Sequence, residues 1–275
     1  MNFARTFAFF LLAGIAVAAE ASDRKYWIGD VEREYWIGVQ DFSVADVDSH
    51  TYGLSGRIAV DTQTKSGQHL VGSLDLFYDH DKDHLDPDHI PIRWDVHLGT
   101  DKELWQGARL HFGWTADANT RMNTVSSIER EITALPAIVG WYDGSYVRAA
   151  LKAGAGWFFL EIDDDAPRLR GYDREDLRNS TLGYTGAADL TIKIGSCCKI
   201  LGQIQQWWDS DVWLQIQYGA AFRVNLDSMT KGGELVLSAE AYEYNLDPYQ
   251  RPDLAIPVLG WNDDLLVRLS FKTKW

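Results

Sequence analysis

The segment LVRLSFKTKW, Leu266–Trp275, alternates along its length. Val267, Leu269, Phe271 and Trp275 fall on one face of an extended chain, and Arg268, Ser270, Lys272 and Lys274 fall on the other. A period of two is the mark of a strand whose faces meet different surroundings. Terminal residues gain order only when they bury something. An alternating stretch that carries an aromatic last side chain is therefore expected to be docked along its length, not frayed.

The same rhythm continues outward from this strand. Twelve alternating segments can be placed, near 34–44, 51–62, 68–78, 92–100, 105–115, 127–142, 145–162, 177–194, 200–208, 212–225, 234–244 and 265–275. The count is good to about two either way, a range of roughly ten to fourteen. Short connections (QTKSG, DKEL, the Asp143-Gly144 pair, GSCCK, DSMTKGG) alternate with longer ones rich in acids and prolines (DHDKDHLDPDHIP, ADANTRMNTV, DDDAPRLRGYDRE, DPYQRPDLAIPVLGWND). Asp-Gly is a favoured two-residue hairpin turn. Alternating short turns and long loops is the pattern of an antiparallel transmembrane barrel, with the turns on the periplasmic side and the loops outside.

Alternation alone does not say which face is inside, because a soluble barrel hides its apolar face and a membrane barrel shows it to lipid. Composition favours the second. Charged residues sit mid-strand opposite the apolar face: Arg57, Asp75, Arg93, Asp95, Arg109, Arg148, Lys152, Lys193, Arg223, Glu240, Arg268 and Lys272 are the expected lumen-lining set. Trp105, Trp114, Trp141, Tyr142, Trp157, Trp207, Trp208 and Trp275 gather near strand ends, where amphipathic rings favour a membrane interface.

Residues 1–21 read as a secretory signal peptide, with Arg5 followed by an apolar run from Phe7 to Ala18 and a small-x-small site at Ala19–Ala21. The run is shorter than the roughly 20 residues a membrane helix needs. Residues 22–33 are then a lead-in segment, and 34–275 the barrel. The only cysteines, Cys197 and Cys198, are adjacent, so no disulfide framework is expected.

The final strand resembles the carboxy-terminal signal of bacterial outer-membrane β-barrel proteins, with Val267, Leu269 and Phe271 leading to a terminal aromatic, here Trp275. That resemblance implies residence in the outer membrane of a Gram-negative cell, among its lipids and lipopolysaccharide. It also implies recognition by the barrel assembly machinery, and closure of the last strand against the first. Phe is the commonest last residue of the family, so Trp275 is a mild departure.

The chemistry on offer is sparse. All seven histidines lie between His50 and His111. In DHDKDHLDPDH, Asp79, Asp81 and Asp83 have the alternate spacing of a calcium loop, but its sixth position is His84 instead of glycine, and no metal site is assigned. If the hairpin of the fourth and fifth strands centres near residue 104, His97 and His111 face each other beside Ser73, Asp75, Asp95 and Arg109. Acid-base chemistry could use such a set, but a network of paired charges in a confined lumen is the simpler reading. The YWIG of Tyr26 returns at Tyr35, too short an echo for a repeat architecture. No cofactor fingerprint, nucleotide loop or nucleic-acid patch is present.

Formal net charge is −14, with acids crowded into the long loops and the strand set weighted toward Arg and Lys. The expected function is therefore a passive channel for small solutes, with anions favoured by the basic lumen. Two alternatives remain open: an outer-membrane lipid hydrolase using Ser73, Asp75, His97 and His111, and a structural or surface-recognition barrel with a plugged lumen.

Overall fold

The computed structural model describes residues 28–44, 49–80, 92–122, 128–162, 178–247 and 263–274. The proposed signal peptide, most of the long acidic loops and Trp275 lie outside the described residues. Twelve strands are formed: β1 (Ile28–Val44), β2 (Ser49–Thr64), β3 (His69–His80), β4 (Ile92–Gln106), β5 (Leu110–Met122), β6 (Ile128–Asp143), β7 (Val147–Ile162), β8 (Arg178–Ile194), β9 (Cys198–Asp209), β10 (Val212–Asn225), β11 (Glu234–Tyr244) and β12 (Asp263–Lys274). Each pairs antiparallel with its sequence neighbours, and β12 returns to β1, so the sheet closes on itself. Closure leaves no edge strand with unpaired backbone groups, which is the condition for strands to cross a bilayer.

The seam shows why the last strand alternates. Phe271 stands between Ile37 of β1 and Leu235 of β11, and Leu269 between Val39 and Leu237. These apolar rows point outward, with Ile37 70 % and Leu182 77 % exposed, and Val39, Leu54, Leu151 and Ile138 also open to the surroundings. The inward rows bury charge: Arg93 is 2 % exposed and Lys272 5 %. Exposed leucines outside and buried arginines inside invert the plan of a water-soluble domain, and the outer surface is one built for lipid.

The expected strands are all present, with two boundary corrections. Residues 28–33, read as lead-in, belong to β1, which pairs with β2 as far as Ile28 and Thr64. The DKEL segment is not a turn. β4 runs on through Gln106, the reversal lies at Gly107–Arg109, and β5 continues through Met122 across most of the segment read as the loop ADANTRMNTV. Acidic and basic side chains made these stretches look like connections, but in a wet-lumen barrel the inward row tolerates them. A register shift between Glu103 and Trp105 carries Trp105 to the outer surface.

One connection at the loop end is tight. Ser210 takes a positive φ of 55° in the two-residue reversal between β9 and β10. At the other end Gly67, Gly195 and Gly232 supply positive φ in the turns after β2, β8 and β10.

Candidate functional site: the barrel lumen

The interior is organised in layers along the barrel axis, and the loop end is the most crowded. Arg121 near the end of β5 donates from Nη1 to the Tyr244 hydroxyl on β11 at 2.6 Å, and its Nη2 lies 3.0 Å from Asp264 Oδ2 on β12. Its guanidinium sits 3.9 Å from the centroid of Tyr242. Glu131 is the cross-strand partner of Arg121, and it accepts from Gln215 Nε2 of β10 at 2.9 Å. In the ring of strands β5 and β11 stand opposite each other, so this network is a crossbar through the lumen.

Apolar clusters flank the crossbar. On one side Leu135, Phe158, Leu160, Ile162, Trp207 and Leu246 pack with Tyr244. On the other, Phe42, Phe77 and Leu266 form a smaller group. Arg93 lies over both phenyl rings, at 4.2 Å from Phe42 and 4.7 Å from Phe77, while its Nε donates to Asp79 Oδ2 at 2.7 Å. Gln40 Nε2 donates to the other Asp79 oxygen at 2.7 Å. A buried charge persists in such a place only when paired and hydrogen-bonded.

Below this layer lies a cavity of about 500 Å³. One wall is ionic. Arg268 Nη1 donates to Asp75 Oδ1 at 3.0 Å and its Nη2 to Glu240, and Arg57 Nη1 lies 3.5 Å from Asp75 Oδ2. The wall that adjoins it beyond β11 is amide-rich, with Gln203 and Gln205 on β9 beside Gln215 and Gln217 on β10. Asp117 gathers His97 Nε2 at 3.3 Å, Lys152 Nζ at 3.8 Å and the Thr115 hydroxyl at 3.1 Å. At the turn end Lys272 Nζ bridges Glu34 at 2.9 Å and Glu234 at 3.2 Å, and His69 bonds both Asp61 and Asp101 at 2.7 Å.

Of the expected lumen residues, Arg57, Asp75, Asp95, Lys152, Arg223, Glu240 and Arg268 line the cavity. Arg93 is sealed in the loop-end layer and Lys272 is buried near the turn end. Lys193 lies on the inward row of β8 one residue before its turn-end limit, with Lys199 as its strand partner. Two placements are corrected. Arg109 belongs to the exposed turn between β4 and β5, because that hairpin reverses later than its charges suggested. Arg148 sits at the turn-end rim, paired with Asp143 at 3.2 Å and 59 % exposed.

The proposed catalytic set does not assemble. Ser73 and His97 are direct cross-strand partners, and Asp75 follows on the same face. His97, however, gives its Nε2 contact to Asp117. His111 is not opposite it: His97 pairs with Asn119, eight residues along β5, which is about 27 Å of strand. His111 instead bonds Glu103 at 3.0 Å near the turn end.

Nor is the lumen a basic ladder. Glu32, Glu34, Asp61, Asp79, Asp101, Asp117, Glu234 and Asp264 also face inward, each in contact with an inward cation or histidine. The sequence pattern places Asp117 and Arg121 in a loop, but both lie on β5. Trp141 and Trp207, assigned to the interfacial belt, point inward, Trp141 beside His111 and Trp207 into the larger apolar cluster. No sequence signal for the crossbar exists beyond the inward parity of its members.

No protein-family model matches the chain, and no curated protein does. Solved structures do. A NanC porin structure superposes with a TM-score of 0.54 at 9 % identity, covering 88 % of this chain and 100 % of that one. The COG4313 outer membrane channel from Pseudomonas putida F1 gives 0.51 at 9 % identity, covering 91 % and 98 %. The fold is the closed antiparallel barrel that these two structures share. Identity this low carries architecture and no residue roles, so the barrel's lumen stands on its own geometry.

Proposed function

We propose that the protein is a passive channel for small polar solutes in the outer membrane of a Gram-negative cell. The observation that carries this reading is a cavity of about 500 Å³, lined by polar and charged side chains, inside a closed barrel whose outer surface is apolar. The turn end then faces the periplasm and the loop end the exterior. Twelve strands enclose more interior than the side-chain-filled barrels of eight and less than porins of sixteen. Likeness to the NanC porin and the COG4313 channel agrees with this use of the fold. We further infer that β12, with Val267, Leu269, Phe271 and the following Trp275, is read by the barrel assembly machinery, and that the apolar belt meets lipid and lipopolysaccharide.

Passage through the exterior half requires the Arg121–Tyr244 crossbar to part. The purified full-length barrel in a planar bilayer is expected to conduct in discrete steps, and Arg121→Ala is expected to raise the open fraction. Silence of both proteins over a range of voltages overturns the channel reading. That result would favour a second one, a barrel closed by design, for which the crossbar and its two flanking apolar clusters are the specific support.

A further inference from the structure

We propose that Arg57, Arg223 and Trp36 form a subsite in the lumen wall for a single oxyanion group, a carboxylate or phosphate borne by a small solute. The inference rests on the channel reading only for the route by which such a solute arrives. All three residues line the cavity. Trp36 comes from β1, Arg57 from β2 and Arg223 from β10, so the closure of the barrel brings them together. The two guanidinium carbons lie 5.6 and 5.3 Å from the centre of the Trp36 ring, which holds both against one indole.

Their hydrogen bonding is incomplete in the same place. The Nε–H of Arg57 and that of Arg223 are both buried and have no acceptor among the described residues. The contacts these side chains do make are long, 3.5 Å from Arg57 to Asp75 and 3.7 Å from Arg223 to Glu234. A buried donor left without an acceptor lowers stability. Two guanidiniums held at one indole, each with a single long ionic contact, have donors left for a ligand with acceptor oxygens, since the guanidinium fork matches carboxylate and phosphate geometry. Lys272 Nζ lies 5.5 Å from the same ring, and Asp75, Glu34 and Glu234 contact the three cations. Those acids are shared with Arg268, Lys199 and Lys274, so with Glu240 and Glu32 the ion-pair network among the described residues holds six cations and five acids, a surplus that suits one anionic group and not a polyanion.

The test is calorimetric titration of the purified full-length barrel with sodium acetate and, separately, with inorganic phosphate, at matched ionic strength. Saturable binding of at least one anion is expected, weakened about tenfold or more in Arg57→Gln and in Arg223→Gln. Arg223→Lys keeps the charge but removes the guanidinium fork, and is expected to stay weak. Binding of acetate alone assigns a carboxylate, and of phosphate alone a phosphate group. Absence of saturable binding of either, or unchanged binding in both glutamine variants, overturns the subsite. Correct folding is checked by the mobility of unheated samples on gels, and if Arg57→Gln does not fold the two Arg223 variants decide. A barrel that binds acetate but passes no current retires the channel and keeps the subsite; current without anion binding does the reverse.

Discussion

Arg121 and Tyr244 stand on strands six places apart in a ring of twelve, and a 2.6 Å hydrogen bond joins them across the lumen. Removing the cation leaves Asp264 and Glu131 buried without it. Arg121→Ala is expected to destabilise the barrel by about 3–5 kcal/mol, the cost of breaking a buried ion pair from one side. Tyr244→Phe removes only a hydroxyl bonded to a charged group and is expected to cost about 1.5–3 kcal/mol. Urea unfolding of the two variants in detergent micelles checks the order, and equal losses would show that the charge does not organise this layer.

Arg93 and Asp79 form the second buried pair of the loop end, both nearly inaccessible, with the guanidinium between Phe42 and Phe77. Asp79→Ala strands the arginine among phenyl rings and is expected to cost about 3–5 kcal/mol. The same unfolding measurement applies, and a loss below 1 kcal/mol, roughly the value of an exposed pair, would contradict the pairing.

Ile37 lies near the middle of β1 on the outer surface, opposite Gly56 and Phe271. Ile37→Arg is expected to cost about 2–4 kcal/mol in a bilayer, as for a cation at mid-membrane depth on a barrel's lipid face. Gln203→Arg, facing the cavity, is expected to leave stability in lipid vesicles nearly unchanged. Equal tolerance of the two would mean that the outer surface does not meet lipid.

Gly156 of β7 faces a crowded stretch of β6, where a Cβ would come within 2.0 Å of the Ala134 carbonyl oxygen. Backbone must move to admit it, because the obstacle is not a flexible side-chain tip. Gly156→Ala is expected to slow assembly or to reduce the fraction of fast-running unheated barrel, whereas Gly202→Ala, with open space around it, is expected to assemble at the wild-type rate.

Trp275 is expected to act in assembly and not in transport. Trp275→Ala should lower the amount of folded protein recovered in outer membranes while leaving the unit conductance of the assembled fraction unchanged. Wild-type yield and rate would remove the terminal ring from the assembly signal.

The strand count and the inward-outward sorting were legible because a pleated strand repeats every two residues and each face of a membrane barrel has its own solvent. What the pattern hides is where a wet row ends. Asp101 and Glu103 look like part of a turn and Asp117, Asn119 and Arg121 like part of a loop, yet all five are strand residues, since lumenal positions carry the same polar residues that connections do. That one misplaced hairpin set His97 opposite His111, which the actual register keeps apart, and concealed both Asp117 and Arg121. Partners were hidden for a different reason. Arg268 and Asp75 are 193 residues apart in sequence, and only closure of the ring brings them to 3.0 Å. Trp141 and Trp207 were misplaced because they lie near strand ends, although each falls on the inward parity of its strand.

The crossbar also has a mechanical meaning. A β-cylinder with a hollow middle can be squeezed into an ellipse by lateral pressure from the bilayer, since its hydrogen bonds resist shear between neighbours better than bending of the whole wall. Arg121 to Tyr244, with Gln215 to Glu131 alongside, acts as a tie rod between walls that share no backbone bond. The loop end keeps a fixed cross-section as a result, and the compliance of the barrel is concentrated at the other rim, where contacts such as Gln68 to Thr100 and Lys193 to Tyr146 join neighbouring strands instead of facing walls.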